Sequence, residues 1–176
     1  MASTNSTTTP TAEITLPLPV RESAITTLLK TPLHNALDLF QVLDYCQHFA
    51  DDLIENDDHI ERMALCGRLY AGLELLKVVL KEPLPEHLIE RLTVDATEPD
   101  HYRCPLTTDS ETLREYCAAL TMLLLQGQPS TEQEEHITGL LFEMVTVLAD
   151  DLKAPRFIKT DTRLMMIGGD AVHEIH

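Results

Sequence analysis

Four cysteines, at positions 46, 66, 104 and 117, are the strongest nucleophiles and the softest metal ligands in the chain. Zinc bound by thiolates needs closely spaced pairs, and no C-x-x-C occurs. The nearest ligand-type pair is His101 with Cys104 in "HYRC". Cys46, Cys66 and Cys117 fall among apolar helical positions, where cysteine packs as a small hydrophobe. Cys104 sits in a loop beside Arg103, a thin electropositive setting for a reactive thiol. The histidines are scattered. His34 with Asp38, and His48 with Asp52, stand four residues apart and could each place two ligands on one helix face. The pairs are 14 residues apart, about 21 Å along a helix, so they cannot share a metal. No helix carries the Glu-x-x-His pairs of bundle metal sites, and "HEIH" at 173–176 stands in a tail. These residues read as surface pairs, with a helix-borne His/Asp metal protein or enzyme as the alternative. No cofactor and no catalytic group is expected.

The carboxylates are more pointed. "DDLIENDDHIE", residues 51–61, holds six acids and no Lys or Arg. A calcium loop would need alternating oxygen ligands, a central Gly and a closing Glu at fixed spacing, and the stretch lacks that order. Across 34–61 there are eight acids and no Lys or Arg, and 82–100 adds six acids against one base. A one-signed face of this kind fits a protein partner with a basic surface, or simple solubility. The partner-binding residues are expected to be Asp51, Asp52, Glu55, Asp57, Asp58 and Glu61, although Asp58 and Glu61 also read as a capping box. The whole chain carries 29 acids against 13 bases, a formal net charge of −16. Phosphate backbones and anionic membranes are repelled by such a surface, so direct nucleic-acid or membrane binding is not expected. There is no phosphate-binding Gly loop and no Trp.

These residues need elements to hold them. The chain has 176 residues and is 44% hydrophobic, enough for one core without disulfides or metals. Residues 1–20 read as a disordered or extended tail, since they are rich in Ser and Thr and carry Pro17 and Pro19. "ESAITTLLK" allows one or two helical turns. Thr31-Pro32 reads as a helix start, and apolar residues then fall at 36, 37, 40, 43, 46, 49, 50 and 53. The periodicity predicts helices over 32–54, 58–82, 109–126 and 131–153. Thr108 with Glu111 and Thr131 with Glu134 are read as opening the last two. The predicted inward faces include Ile60, Met63, Ala64, Gly67, Leu73 and Leu76 in the second helix. They include Leu113, Tyr116, Cys117, Leu120, Leu123 and Leu124 in the third, and Ile137, Leu140, Leu141, Met144, Val145 and Leu148 in the fourth. "LPEHLIERL" reads as a short helix, 93–108 as a long connection, and "RFIKTDTRLMMIGG" as a small hairpin or a loop with one short helix.

One helix is written twice. "GRLYAGLELLKVVLKEP" (67–83) and "GLLFEMVTVLADDLKAP" (139–155) share six identities in 17 positions at an offset of 72. "DYC" (44–46) and "EYC" (115–117) repeat at an offset of 71. The expected fold is therefore all-α: a four-helix bundle over 21–155 made of two similar αα-hairpins, 32–83 and 109–155, joined by a linker at 84–108. A C-terminal extension, 156–176, has room for a small β-hairpin. A glycine inside a helix costs about 1 kcal/mol against alanine, so the repeated Gly67 and Gly139 predict close helix crossings. No secretory signal and no membrane span is visible, and the expected compartment is the cytoplasm. The character is that of a small bacterial or phage protein. The expected function is a non-enzymatic, acidic, helical protein-binding domain of adaptor, chaperone or inhibitor type. The alternative is a structural homo-oligomer, and a homodimer fits either.

Overall fold

A computed structural model describes residues 24–95, 105–159 and 164–167. The N-terminal tail, Cys104 and the terminal "HEIH" lie outside these residues. The described part is mostly helical, with a small sheet toward the C-terminus. Helix α1 spans Ala24–Lys30, α2 Leu39–Glu55, α3 His59–Val79, α4 Glu86–Arg91, α5 Ser110–Leu125 and α6 Thr131–Lys153. Strands β1, β2 and β3 span Thr93–Asp95, Phe157–Lys159 and Leu164–Met166.

Helix starts are decided by capping chemistry, and here the structure corrects the sequence reading. Thr31-Pro32 does not open a helix. The Thr31 backbone N–H bonds the Leu28 carbonyl and its hydroxyl donates to the Thr27 carbonyl, so Thr31 closes α1. Helix α2 starts seven residues later. Asp38 Oδ1 accepts from the Gln41 backbone N–H and Gln41 Oε1 accepts from the Asp38 backbone N–H, both at 2.9 Å. This reciprocal box satisfies two orphan donors at once, which Thr31 has no partner to do. Helix α5 is capped by Asp109 rather than Thr108, through the Thr112 N–H at 2.8 Å. Helix α6 is capped by a Ser130–Gln133 box, one residue before the expected Thr131–Glu134 pair.

The four long helices close into a ring. Helix α2 packs on α3 and α6, and α5 packs on the same two. The core they enclose is built from Leu43, Phe49, Leu53, Leu65, Leu69, Leu73, Leu76, Leu141 and Leu148, each essentially without solvent exposure. The expected inward residues of α2 are buried, with Leu39 and Val42 added, and α6 keeps the expected Leu141, Val145, Leu148 and Leu152, whereas α3 is turned and α5 partly so. In α3 the buried set is Leu65, Cys66, Leu69, Gly72, Leu73 and Leu76, while Ile60, Ala64 and Gly67 face outward. In α5 the core takes Arg114, Ala118 and Thr121 with Leu113, Cys117 and Leu124, leaving Tyr116 and Leu123 exposed. In α6 it takes Thr138 and Ala149 with Leu141, Val145, Leu148 and Leu152, leaving Leu140 exposed.

The expected glycine crossings are also overturned. A methyl group added at Gly67 or Gly139 would meet nothing within 4 Å. The close approach lies at Gly72, where a Cβ would stand 2.8 Å from Cys46 Sγ. Gly72 is buried on α3 against α2, so the small residue there lets the two helices meet.

The C-terminal hairpin forms, with Phe157 opposite Met166 and Lys159 opposite Leu164. Its third strand was not expected. β1, in what reads as a linker, pairs parallel to β2 with Val94 opposite Ile158. The connection is anchored by buried Leu88 and Leu92, and the Leu92 carbonyl accepts from both Arg156 and Phe157 backbone N–H groups.

Candidate functional site: an acidic corner

The acid-rich stretch forms the turn from α2 to α3. Asn56 ends α2 in an extended conformation, and its buried side chain organises the turn. Its Oδ1 accepts from the Asp58 backbone N–H and its Nδ2 donates to Glu61 Oε2, each at 2.7 Å. Asp58 caps α3 through the Glu61 backbone N–H at 2.9 Å. The expected Asp58–Glu61 capping box is thus half made. Asn56 supplies the return bond, and Glu61 is held by Asn56 instead.

Arg62, the first base after the acidic stretch, is spent inside the fold. Its guanidinium donates to the Leu53 carbonyl at 2.7 Å and the Asn56 carbonyl at 3.0 Å, two orphan acceptors at the end of α2. It also donates to Glu134 at 3.1 Å from Nε and to Thr138 Oγ1 at 3.1 Å from Nη2. A cation at a helix C-terminus is favoured by the helix dipole, and here it also ties α2 and α3 to α6.

The structure therefore divides the six expected partner-binding acids. Asp58 and Glu61 hold the turn. Asp51, Glu55 and Asp57 are exposed and Asp52 is half-buried, and among the described residues none of these four is paired with a cation. Elsewhere the carboxylates do find partners: Lys153 bonds Asp44 at 2.6 Å, and Arg114 reaches Glu74 at 3.3 Å. A shallow cleft of ≈ 430 Å³ opens between this corner and the start of α6, lined in part by Ile54, Asp57, His59, Arg62, Glu134 and Glu135. Exposed Glu135 adds a carboxylate across the interhelix gap, while Glu134 is neutralised by Arg62, an arrangement that linear charge counting over 34–61 could not reveal.

Two apolar residues were also missed. Ile54 is 46% exposed and Ile60 is 78% exposed. Both lie within the acidic stretch, on either side of the turn. Ile60 reads as part of the inward stripe of α3, and only the true phase of that helix places it outside.

The other candidate groups are not assembled. Asp38 pairs with His87 Nε2 at 3.0 Å rather than with His34. Burial opposes ionisation of Asp38, but the Gln41 N–H and the His87 imidazole outweigh it and hold the carboxyl below the ordinary carboxylate range. Cys46, Cys66 and Cys117 are buried free thiols. Burial pushes Cys46 up to about 12, with Cys117 adding to the shift, and pushes Cys66 up to about 11. Thiols so placed stay protonated at neutral pH. Among the described residues no group of three His, Cys, Asp or Glu side chains is placed to hold a metal ion, and no helix is long and apolar enough to cross a membrane. No family model, no curated protein and no solved structure matches the chain.

Proposed function

We propose that the chain is a non-enzymatic binding domain, of adaptor, chaperone or inhibitor type, whose α2–α3 corner receives a basic and partly apolar protein surface. One observation carries this reading: two exposed isoleucines, Ile54 and Ile60, stand near Asp51, Asp52, Glu55 and Asp57, which have no cation partner among the described residues. Unpaired like charges repel one another and weaken folding, so their placement around an apolar spot favours use in binding. The carboxylates would steer a Lys/Arg-rich segment to the corner, and the isoleucines would bury against its apolar side. The scaffold, in this reading, is a four-helix bundle of two duplicated αα-hairpins. Its support is the ring of helix contacts and the meeting of Arg62 with Glu134, positions related by the same offset of 72 as the repeat. The compartment that suits three buried free thiols is the reducing cytoplasm.

The test is capture from the native cell with the intact chain and with a variant carrying Asp51→Asn, Asp52→Asn, Glu55→Gln and Asp57→Asn. Asp58 and Glu61 are left alone because they hold the turn. The intact chain should capture basic proteins with an association rate that falls as salt rises. The variant should stay folded and lose them. Capture of the same proteins by both, with the same salt dependence, would refute the reading.

A further inference from the structure

We propose that the outer face of the α5–α6 hairpin pairs with the same face of a second copy of this chain. The apolar arc of α5 is wider than the core uses. Tyr116 and Leu123, two turns apart, lie on its outer side, 51% and 37% exposed, with Leu120 between them partly buried against the core. Leu140 on α6 is 52% exposed. At the hairpin end, Leu123 and Ile137 line one cleft of ≈ 440 Å³ together with Pro129 and His136. The core meanwhile accepts Arg114 and Thr121, almost without exposure, from the same helix. A helix that buries an arginine and leaves a tyrosine and a leucine outside has two faces to satisfy.

Charge selects the occupant. From Tyr116 to Thr131 there is no Asp, Glu, Lys or Arg, in a chain of net charge −16. Two copies repel each other over most of their surface, and a charge-free apolar face is where they can meet at least cost. A basic partner gains nothing there, since the carboxylates that attract it lie on the α2–α3 corner. Pairing of one patch with itself gives a closed two-fold dimer.

The other hairpin shows the same face covered, an argument that rests on the duplication proposed above. By the repeat offset, Arg68 corresponds to Leu140. Arg68 lies over the Phe49 ring at 5.4 Å and donates to the Thr31 carbonyl, while Leu28, Leu29 and Leu33 pack onto the core. Thus the segment around α1 covers the first hairpin. On the second hairpin Leu140 stands open, and a second copy supplies the missing cover.

The rim sets the salt dependence. Glu115 and Glu143 border the apolar face and are exposed, so screening should strengthen self-association, whereas it slows capture of a basic partner. The experiment is sedimentation equilibrium of the purified full chain across a wide concentration range at low and high salt. The expected result is twice the chain mass of 19.8 kDa, with tighter association at high salt. Leu123→Glu and Leu140→Glu should each weaken the dimer by more than about tenfold, because a carboxylate would be buried against apolar surface. Helical circular dichroism should be kept, and Leu140→Ser carries the test if either charge perturbs it. The Asp51/Asp52/Glu55/Asp57 variant should dimerise normally, which separates this face from the acidic corner. A 19.8 kDa species at every concentration and salt, or a dimer indifferent to substitution at Leu123 and Leu140, would overturn the proposal.

Discussion

Replacing Gly72 by alanine isolates the packing of α2 on α3. At an open helical position, Gly→Ala stabilises by about 1 kcal/mol through backbone entropy. Gly67 and Gly139 are such positions, with nothing within 4 Å of an added Cβ. At Gly72 the same methyl would stand 2.8 Å from Cys46 Sγ. That sulfur is one torsion from its backbone and its residue is 2% exposed, so it has little room to turn aside. Overpacking a filled site costs about 1–3 kcal/mol. Gly72→Ala should therefore fall about 1–3 kcal/mol below Gly67→Ala in unfolding free energy, a gap of at least about 2 °C in Tm for a chain of this size. Urea unfolding of the two single variants measures the gap. A cycle with Cys46→Ala identifies its cause, because removing the sulfur should return most of the deficit at Gly72 and none at Gly67. If Gly72→Ala is as stabilising as Gly67→Ala, or if the cycle shows no coupling, the close approach of the helices at Cys46 is refuted.

The thiols give a second prediction: Cys46, Cys66 and Cys117 should resist alkylation at neutral pH in the folded chain and react together on unfolding, as read by site-resolved mass spectrometry. Rapid labelling of any of the three under native conditions would contradict their burial. Asp38 gives the third. Its folded pKa lies below the ordinary 3.8, so its contribution to stability is present above that value and is lost as pH falls through the depressed folded pKa. Asp38→Ala should cost about 0.5–2 kcal/mol at neutral pH, as a lost N-cap does, and should soften the acid limb of the stability profile. An unchanged profile would show that the Gln41 and His87 contacts do not matter.

How far the sequence could be read follows from how unambiguous each local signal is. Helix α2 has one apolar stripe with polar residues around it, and Leu43, Cys46, Ala50 and Leu53 turn inward as the spacing demands. Helix α6 likewise buries the expected Leu141, Val145, Leu148 and Leu152, but α3 and α5 carry apolar residues on more than one side, so there periodicity finds the helix more surely than its phase. In α3 the spacing points Ile60 and Gly67 inward, whereas Leu65 and Leu69 form the buried face. Capping was uncertain by one residue wherever two capping types stand adjacent, as in Thr108-Asp109 and Ser130-Thr131. The partner that can close the bond geometrically wins, and sequence does not show it. Strand β1 was illegible for another reason. Three residues in a Thr/Asp-rich connection become a strand only because β2, far along the chain, offers its edge. The acidic character of the corner was legible. The exposure of Ile60 and the nearness of Glu135 were not, because they depend on helix phase and on packing between hairpins.

The two proposed surfaces differ in charge. If the excess of acids served only to keep the chain dispersed, carboxylates would be most useful beside exposed apolar side chains on the α5–α6 face. They stand only at its border, at Glu115 and Glu143: the run from Tyr116 to Thr131 is uncharged while Tyr116 and Leu123 are open. The acids instead crowd a corner whose backbone already needs Asp58 and Asn56 to hold a tight turn, where mutual repulsion works against folding. The two proposed surfaces would place opposite electrostatic demands on this arrangement. A neutral face suits association with an equally acidic copy, and a concentrated negative field suits attraction of a basic partner. Raising the salt should strengthen the first and weaken the second in the same solution. A shared direction of response would mean that the two surfaces do not have separate roles.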